Sequence, residues 1–329
     1  MNKLISLIAI GAIVFTLGSC TTKTGAEVSQ SSTSIPAPTE TVGGVKVYMT
    51  TDISPAGLAA VYEALGLVAS GKVAVKISTG EPGGHNFLQP ALIGDFVKSV
   101  DGTIVESNTA YGGRRASTAM HYQVARDHGF TAIAPVVILD ENGDVALPVT
   151  GGTHLKEDFV GAHFNDYDFH VVLSHFKGHA MGGLGGALKN MSIGYASPKG
   201  KTWIHSGGTS ATTLWGQDQD NFLRSMAEAA KAVSDASSGR ILYINVMNRL
   251  SVDCDCSSNP AAPEIHDIGI LASLDPVALD KACVDLVYAA PDGRSLIERI
   301  ESRNGSLTIT HAARIGLGSL TYELVRLNG

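Results

Sequence analysis

The chain has 329 residues, of which 44% are hydrophobic and 17% are charged, and its formal net charge is −7 at pH 7. This composition is typical of a globular protein. An acidic chain with no basic tract binds nucleic acid poorly, so we expect no nucleic-acid partner.

The first twenty residues predict export and a lipid anchor. Lys3 gives a positive start, and Leu4 to Leu17 form an apolar run that is shorter than the about 20 residues of a spanning helix. The run ends in the letters LGSC at Cys20, as in a bacterial lipobox. We therefore predict a signal peptide over residues 1–19 and an extracytoplasmic protein, lipid-anchored through Cys20 to a bacterial membrane, at the outer membrane or cell surface. An ordinary secretory signal or a short buried helix is the alternative.

The next segment, residues 20–44, is rich in Thr, Ser, Gly and Pro and contains almost no large apolar side chains. Such a segment cannot bury enough surface to offset the entropy lost on ordering. We predict that it is a flexible linker and that residues 45–329 form a single α/β domain.

Within this domain, short apolar runs alternate with helical patterns. Strands are predicted at Val45–Met49, Val73–Ile77, Thr103–Glu106, Val136–Leu139, His170–Leu173, Ile241–Val246 and Ile268–Leu271. Helices are predicted at Pro55–Ala69, Leu88–Val97, Arg114–His128, Asn221–Ser234 and Pro276–Tyr288, with a further helix starting near Ser295. The alternation predicts an α/β fold with a mainly parallel sheet and helices on both faces. The polar, glycine-rich stretch Ser197–Gln219 is predicted to be a long loop.

Polar clusters follow five of the predicted strands. They occupy residues 81–85, 108–115, 174–179, 248–256 and 273–275. In an open parallel sheet, ligands bind at the carboxyl ends of the strands. The clusters therefore predict one functional site at that edge of the sheet.

The cluster after the fifth predicted strand continues into a glycine-rich segment. His175 and His179 could converge on a metal ion, while Lys177 and Lys189 would supply positive charge. Consecutive backbone N–H groups at glycines can also cradle an anion. The glycines concerned are Gly182, Gly183, Gly185 and Gly186. The alternative is a tight turn that packs a helix on the sheet beside solvated histidines.

The cysteines define a second motif. Of the four cysteines, Cys20 is assigned to the lipid, and an odd number of three remains, which argues against a disulfide framework. Cys254 and Cys256 could both bind one soft metal ion or be redox-active, with Asp255 as an additional ligand. A disulfide-like link or two free thiols is the alternative. Cys283 is predicted to be buried in a helix that begins with Asp275 as N-cap and a proline at the first helical position.

Two cysteines are too few for a four-ligand metal site, so histidines would have to complete it. The predicted metal ligands are His175, His179, His205, Cys254, Asp255 and Cys256, and His266 is a further candidate. A transition-metal ion is the cofactor considered, and the cofactor's identity is left open.

Several stretches together resemble one family. They are Val75–Ile77, Gly80–Asn86, Tyr111–Arg115, Ser174–Asn190, Gly200–Ser206, Asp253–Cys256 and Asp267–Asp280. From about Val45 to about Tyr288, the chain resembles the family named domain of unknown function 362, whose members are often labelled iron–sulfur-centre proteins. Typical members carry a ferredoxin-like insert with cysteine-rich motifs after the Gly200–Ser206 block. Lys201 to Ser234 contain no cysteine, so we expect no ferredoxin-type cluster, which needs about four thiolates.

The residues and the resemblance together favour an exported metal- or cofactor-dependent enzyme, with redox chemistry as one form, that acts on a small anionic ligand. His175, Lys177, His179 and Lys189 are the predicted catalytic residues. Gly182, Gly183, Gly185, Gly186, Asn190, Arg115 and Glu81 are the predicted cofactor- or ligand-binding residues. The expected partners are the membrane, through the lipid anchor, a small anionic molecule and a redox partner protein. A non-catalytic lipoprotein that binds a metal or small ligand, and a degenerate structural relative, are the alternatives.

Overall fold

The computed structural model describes residues 40–216 and 218–327. The predicted signal peptide, Cys20 and most of the predicted linker lie outside the described residues. Within the described ranges, no helix combines the length and the apolar character that crossing a membrane requires.

The described part of the chain contains twelve strands, nine α-helices and two short 3-10 helices at Phe130–Ala132 and Ala162–Asp166. The strands are β1 (Glu40–Thr50), β2 (Val73–Lys76), β3 (Gly102–Glu106), β4 (Val136–Ile138), β5 (Asp144–Pro148), β6 (Glu157–Gly161), β7 (Phe169–His175), β8 (Lys177–His179), β9 (Gly183–Gly185), β10 (Ile241–Met247), β11 (Gly269–Ser273) and β12 (Tyr322–Arg326). The helices are α1 (Pro55–Ala64), α2 (Pro90–Ser99), α3 (Thr118–Asp127), α4 (Ala187–Met191), α5 (Pro198–His205), α6 (Gln219–Ser237), α7 (Pro276–Ala289), α8 (Arg294–Ser302) and α9 (Ser306–Arg314).

Eight of these strands form one sheet in the order β12-β1-β11-β10-β7-β2-β3-β4, and β5–β6 and β8–β9 are separate antiparallel pairs. Neighbours from β10 to β4 run parallel, as do β1 and β12, while β11 runs antiparallel to both of its neighbours. The predicted α/β fold with a mainly parallel sheet is confirmed. The central strands are buried throughout because both of their faces are covered.

Helices lie on both faces of the sheet. On one face, Leu58 of α1 and Ile93 of α2 join Val75 and Ile244 in a buried apolar cluster. On the other face lie α4 and α7, which both pack against β10. The side chains of one strand alternate between these two faces, so polar side chains at the ends of the strands can reach α4.

The antiparallel direction of β11 corrects one part of the predicted site. Because β11 runs opposite to β10, the polar cluster 273–275 lies at the amino ends of the parallel strands, away from the other clusters. Asp275 instead caps α7, where its Oδ1 accepts hydrogen bonds from the backbone N–H groups of Val277 and Ala278 at 2.8 and 2.9 Å. The predicted N-cap is confirmed, and Cys283 in the same helix is free and fully buried, as predicted.

Two of the other differences from the predictions concern segments predicted to be loop or linker. The predicted loop Ser197–Gln219 contains α5, which begins where Ser197 accepts a hydrogen bond from the N–H of Gly200 at 3.1 Å. Pro198 occupies the first turn, so the capping signal of this helix was present in the sequence. At the other end of the domain, β1 begins at Glu40, inside the range 20–44 predicted to be linker.

A buried carboxylate fixes α6, which packs against both α4 and α5. Glu228 accepts hydrogen bonds from the backbone N–H groups of residues 153, 154 and 155 at 2.9, 2.9 and 2.7 Å. It also lies 3.0 Å from Nε2 of His311 in α9. Burial alone would raise the pKa of Glu228, but these partners lower it to about 2.

Candidate functional site

A cavity of about 450 Å³ opens at the carboxyl ends of β10, β7, β2 and β3. Most of the predicted site residues line it together. They are Arg115, His175, Lys177, His179, Gly185, Gly186, Lys189, Asn190, His205, Cys254, Asp255 and Cys256. The cavity forms because these parallel strands deliver the loops that follow them to one edge of the sheet.

A buried ion cluster links the loop after β7 to the loop after β10. Asp255 lies 2.9 Å from Nδ1 of His175 and 2.8 Å from Nζ of Lys177. Burial alone would raise the pKa of the Asp255 carboxyl, but Lys177 and then His175 lower it well below its usual range. Asp255 is therefore a carboxylate that holds the Cys254–Cys256 segment against β8.

This cluster corrects the predicted set of metal ligands. Nε2 of His175 lies 2.6 Å from the carbonyl oxygen of Asn248, and its Nδ1 faces the Asp255 carboxylate. Both ring nitrogens of His175 therefore face hydrogen-bond acceptors, and His175 is not in the group of residues whose ligand atoms converge. Both Asp255 oxygens are likewise taken by His175 and Lys177.

Cys254 and Cys256 form a disulfide in the structure. Among the described residues, the remaining cysteine is Cys283, which is free and buried. One ring nitrogen of His179 lies within 4.8 Å of both sulfur atoms, and these three residues are a group that could hold a metal ion. A disulfide sulfur is a poor metal ligand compared with a thiolate, so metal binding here would require the bond to be reduced.

The orientation of His179 is fixed by the glycine-rich segment. Its Nδ1 accepts hydrogen bonds from the backbone N–H groups of Gly182 at 2.7 Å and Met181 at 3.3 Å. Burial, and then the nearby Lys189, lower the pKa of His179 well below its usual value. The ring is therefore neutral, with its single proton on Nε2, and Nε2 acts as a hydrogen-bond donor.

Lys189 is a further cationic group of this site. Among the described residues, its ammonium group forms no hydrogen bond or ion pair. Burial, and then the nearby Lys177 ammonium, lower the pKa of Lys189 to about 7. A β-carbon on Gly185 would lie 3.4 Å from Cδ of Lys189 and 3.8 Å from Cε of Lys177, so both lysine side chains pass beside this glycine.

The four predicted ligand-binding glycines have different surroundings. Gly185 and Gly186 line the cavity, whereas Gly182 and Gly183 are not among its lining residues. Gly183 has a φ of 77° and packs against Gly305, where a β-carbon would lie 2.9 Å from the Cα atom. A β-carbon on Gly186 would overlap the carboxylate of Asp280. The segment is therefore shaped by packing at Gly183 and Gly186 and is open to a ligand at Gly185.

Asn190 lines the cavity, but its amide is taken by the protein. Its Nδ2 donates to the backbone oxygen of Lys76 and to Oγ of Ser174, both at 3.1 Å, and its Oδ1 accepts from Nζ of Lys76 at 3.1 Å. This corrects the prediction that Asn190 orients the ligand directly. It ties α4 to the ends of β2 and β7.

Arg115 lines the cavity and forms an ion pair with Glu81. Arg115 donates to Glu81 at 3.0 Å, to Glu106 at 3.2 Å and to the hydroxyl of Tyr111 at 3.0 Å. Glu81 is buried behind Arg115, and its backbone N–H donates to the carbonyl oxygen of Asp255 at 2.8 Å. The pair therefore connects the cavity wall to the cysteine loop.

Four residues of the site were missed by sequence reasoning. Lys76 and Glu106 form an ion pair at 2.8 Å at the ends of two otherwise apolar strands, and a charged residue in such a strand is the signal that could have found them. Lys201 lies on α5, in the region predicted to be loop. Asp280 of α7 accepts hydrogen bonds from the first N–H groups of α4 and so positions the helix that carries Lys189. Only the packing of α7 against α4 reveals that role.

His205 also lines the cavity. Its ring stacks on Phe222 with a centroid distance of 4.2 Å, and within residues 40–216 and 218–327 its buried Nδ1 has no hydrogen-bond partner. Burial, and then Lys189, lower the pKa of His205 to about 3. His205 is not in the group that contains His179 and the two cysteines.

Comparisons with known proteins give one family and two distant structures. The model of the family described as Domain of unknown function (DUF362) matches residues 73–285. No curated protein matches the chain. The lactate racemase apoprotein from Thermoanaerobacterium thermosaccharolyticum is 18% identical, with a TM-score of 0.37, and the match covers 64% of this chain and 52% of that chain. A structural-genomics protein from Thermotoga maritima is 14% identical, with a TM-score of 0.43, and the match covers 70% and 57%. The matches therefore span little more than half the length of these two solved chains.

Proposed function

The chain belongs to the family described as Domain of unknown function (DUF362), and we propose that it is an exported lipoprotein enzyme that binds a small anionic molecule and exchanges electrons through Cys254 and Cys256. One observation carries this proposal. The disulfide and the ammonium group of Lys189, which has no partner among the described residues, line the same cavity.

The charges of the cavity support an anionic ligand. Five cationic side chains line it, against two carboxylates. The cations are Lys76, Arg115, Lys177, Lys189 and Lys201, and the carboxylates are Glu106 and Asp255. Lys76, Arg115 and Lys177 are paired with acids within 3.2 Å, whereas neither Lys189 nor Lys201 has a salt bridge among the described residues. An anion would balance this excess charge and make charge-assisted hydrogen bonds.

The disulfide supports a redox role. Reduction of one disulfide takes two electrons and two protons and leaves two thiols. The Asp255 carboxylate between the two cysteines stays bound to Lys177 and His175 through interactions that involve neither sulfur, so the loop has an anchor in both redox states. A redox partner protein would return the pair to the disulfide after each reaction.

The first twenty residues support the exported, lipid-anchored part of the proposal. An extracytoplasmic location agrees with the disulfide, because such compartments are oxidising. Direct support would come from finding the protein in the membrane fraction.

A second candidate function is metal binding without catalysis. It rests on the group formed by His179, Cys254 and Cys256, whose ligand atoms lie within 4.8 Å of one another. In the reduced protein, two thiolates and an imidazole could hold a soft ion such as Zn²⁺. Such a site would require His179 to give up the proton on Nε2 or its hydrogen bonds at Nδ1.

The experiment that tests the proposal measures anion binding and the redox state on the same purified full-length protein. We expect sulfate to bind by calorimetry, Lys189→Met to weaken it, and Lys199→Met, outside the cavity, to leave it unchanged. Thiol labelling with mass analysis should find Cys254 and Cys256 unlabelled until a reductant is added. Two permanently free thiols that bind stoichiometric zinc would favour the second candidate. Absence of both sulfate and metal binding would favour a purely structural relative.

A further inference from the structure

We infer that the reductant of the disulfide is a small thiol that carries an anionic group, and that its sulfur attacks Cys256 while Cys254 leaves as the thiolate. This inference rests on the proposed function of the same cavity. It adds the substrate class and the direction of the exchange.

The two sulfur atoms differ in access and in stabilisation. Cys254 is 4% exposed, whereas Cys256 is only partly buried. The backbone N–H of Cys256 donates to Sγ of Cys254 at 3.2 Å. In thiol–disulfide exchange, access selects the sulfur that is attacked, and a stabilised thiolate is the better leaving group. Both differences favour attack on Cys256.

His179 lies near the two sulfur atoms and could supply a second donor. Because its Nδ1 accepts hydrogen bonds from Gly182 and Met181, the proton of the neutral ring is on Nε2. A ring nitrogen of His179 lies within 4.8 Å of both Sγ atoms. Movement of about 1–2 Å would bring a hydrogen bond to the departing thiolate into range.

The anionic group of the thiol would bind Lys189. The side chain of Lys189 passes Gly185 beside Lys177, and Lys177 in turn holds Asp255 between the two cysteines. The unpartnered ammonium group and the disulfide therefore belong to one continuous stretch of cavity wall. The cavity volume of about 450 Å³ lies within the roughly 300–1,000 Å³ of small-molecule sites, which suits a small thiol.

Atoms and electrons are conserved at each step of the exchange between the disulfide and two molecules of the thiol. A first thiolate forms a bond to Sγ of Cys256, the disulfide bond breaks, and its electron pair remains on Sγ of Cys254. A second thiolate then attacks the substrate sulfur of this mixed disulfide, and Cys256 leaves. Two thiols are oxidised to one small disulfide, and their two protons end on the two cysteines. A disulfide-bearing partner protein would reoxidise the pair.

The first test compares three probes of similar size on the full-length protein: 3-mercaptopropionate, 2-mercaptoethanol and cysteamine. We measure the second-order rate of reduction of the Cys254–Cys256 disulfide and correct it for the thiolate fraction of each probe. The corrected rate for the anionic probe should be at least about tenfold higher than that for the neutral probe. A charge-assisted hydrogen bond contributes about 1.5–3 kcal/mol, and about 1.4 kcal/mol corresponds to a tenfold change. Lys189→Met should abolish the preference, and Lys199→Met should retain it.

Equal corrected rates for the three probes, or the fastest rate for cysteamine, would overturn the inference. If Lys189→Met does not fold, added salt gives the same information in the wild type, because screening should reduce the preference for the anionic probe. Sulfate binding and the presence of the disulfide are measured separately. Their loss would refute the proposed function, whereas their presence without thiol selectivity refutes only this inference.

The second test addresses the direction of exchange. Cys254→Ser and Cys256→Ser are each treated with 3,3′-dithiodipropionate, and the mixed disulfide is followed by intact mass. The Cys254→Ser protein, which retains Cys256, should react at least about tenfold faster because its thiol is more accessible. Faster reaction of the Cys256→Ser protein would reverse the assignment. Cys283 is fully buried and serves as an internal control that should remain unmodified.

Discussion

The affinity of the cavity for sulfate should fall as the pH rises through about 7. Burial, and then Lys177, lower the pKa of Lys189 to about 7, so its ammonium group loses its proton near neutral pH. Sulfate keeps its two charges at these pH values, and any change in affinity therefore reports on the protein. Among the lysines of the cavity, Lys201 follows at higher pH, because burial lowers its pKa to about 8.

The size of the effect follows from the pKa of Lys189. A group with a pKa of about 7 is about 90% protonated at pH 6 and about 10% protonated at pH 8, so the Kd should rise about tenfold between them. At pH 6, Lys189→Met should remove one charge-assisted hydrogen bond and weaken binding by about 1.5–3 kcal/mol. The bound anion favours the charged lysine, so binding near pH 7 should take up a proton.

Isothermal titration calorimetry measures these quantities directly. The Kd is determined at several pH values, and buffers with different enthalpies of ionisation report the proton taken up on binding. Lys199→Met is the matched control, because Lys199 is half-exposed and lies 3.7 Å from Asp144, outside the cavity. The role given to Lys189 would be refuted if the wild-type Kd for sulfate were about the same at pH 6 and pH 8. It would also be refuted if the Lys189→Met variant kept the pH dependence.

Three further predictions concern other parts of the chain. At pH 7, Glu228→Gln should lower the free energy of unfolding by about 3 kcal/mol, since the pKa of Glu228 falls from 4.5 to about 2 on folding. This contribution is fully present above the unfolded-state pKa and is lost as the pH falls from about 4.5 to about 2. Urea unfolding should therefore show the difference in unfolding free energy between wild type and Glu228→Gln shrinking over this pH range. A difference that stays constant would contradict the prediction. Gly186→Ala should lower the thermal stability by about 1–3 kcal/mol, because its β-carbon would overlap the Asp280 carboxylate; an unchanged melting temperature would argue against that contact. Cys20→Ala should move the protein from the membrane fraction to the soluble fraction, and a variant that stays membrane-bound would exclude the lipid anchor.

The sequence alone determined the local features of this protein. The alternation of apolar strands and helical patterns was sufficient for the α/β fold, because each element is defined by the periodicity of its own residues. The Asp275 cap and the buried Cys283 followed from the same local rules. The positions of polar residues after strands also predicted which loops meet at the cavity, because parallel strands end at one edge.

The tertiary structure decided what depends on residues distant in the sequence. The direction of β11 is set by pairing with strands far along the chain, and it removed the 273–275 cluster from the site. From the sequence, the side chains of His175 and Asn190 are expected to be free to bind a ligand. In the structure, their polar atoms form hydrogen bonds with residues of other strands and loops. Only the fold leaves Lys189 without a partner among the described residues, because hydrogen bonding and desolvation depend on every group that surrounds a side chain, and the sequence does not show which groups those are.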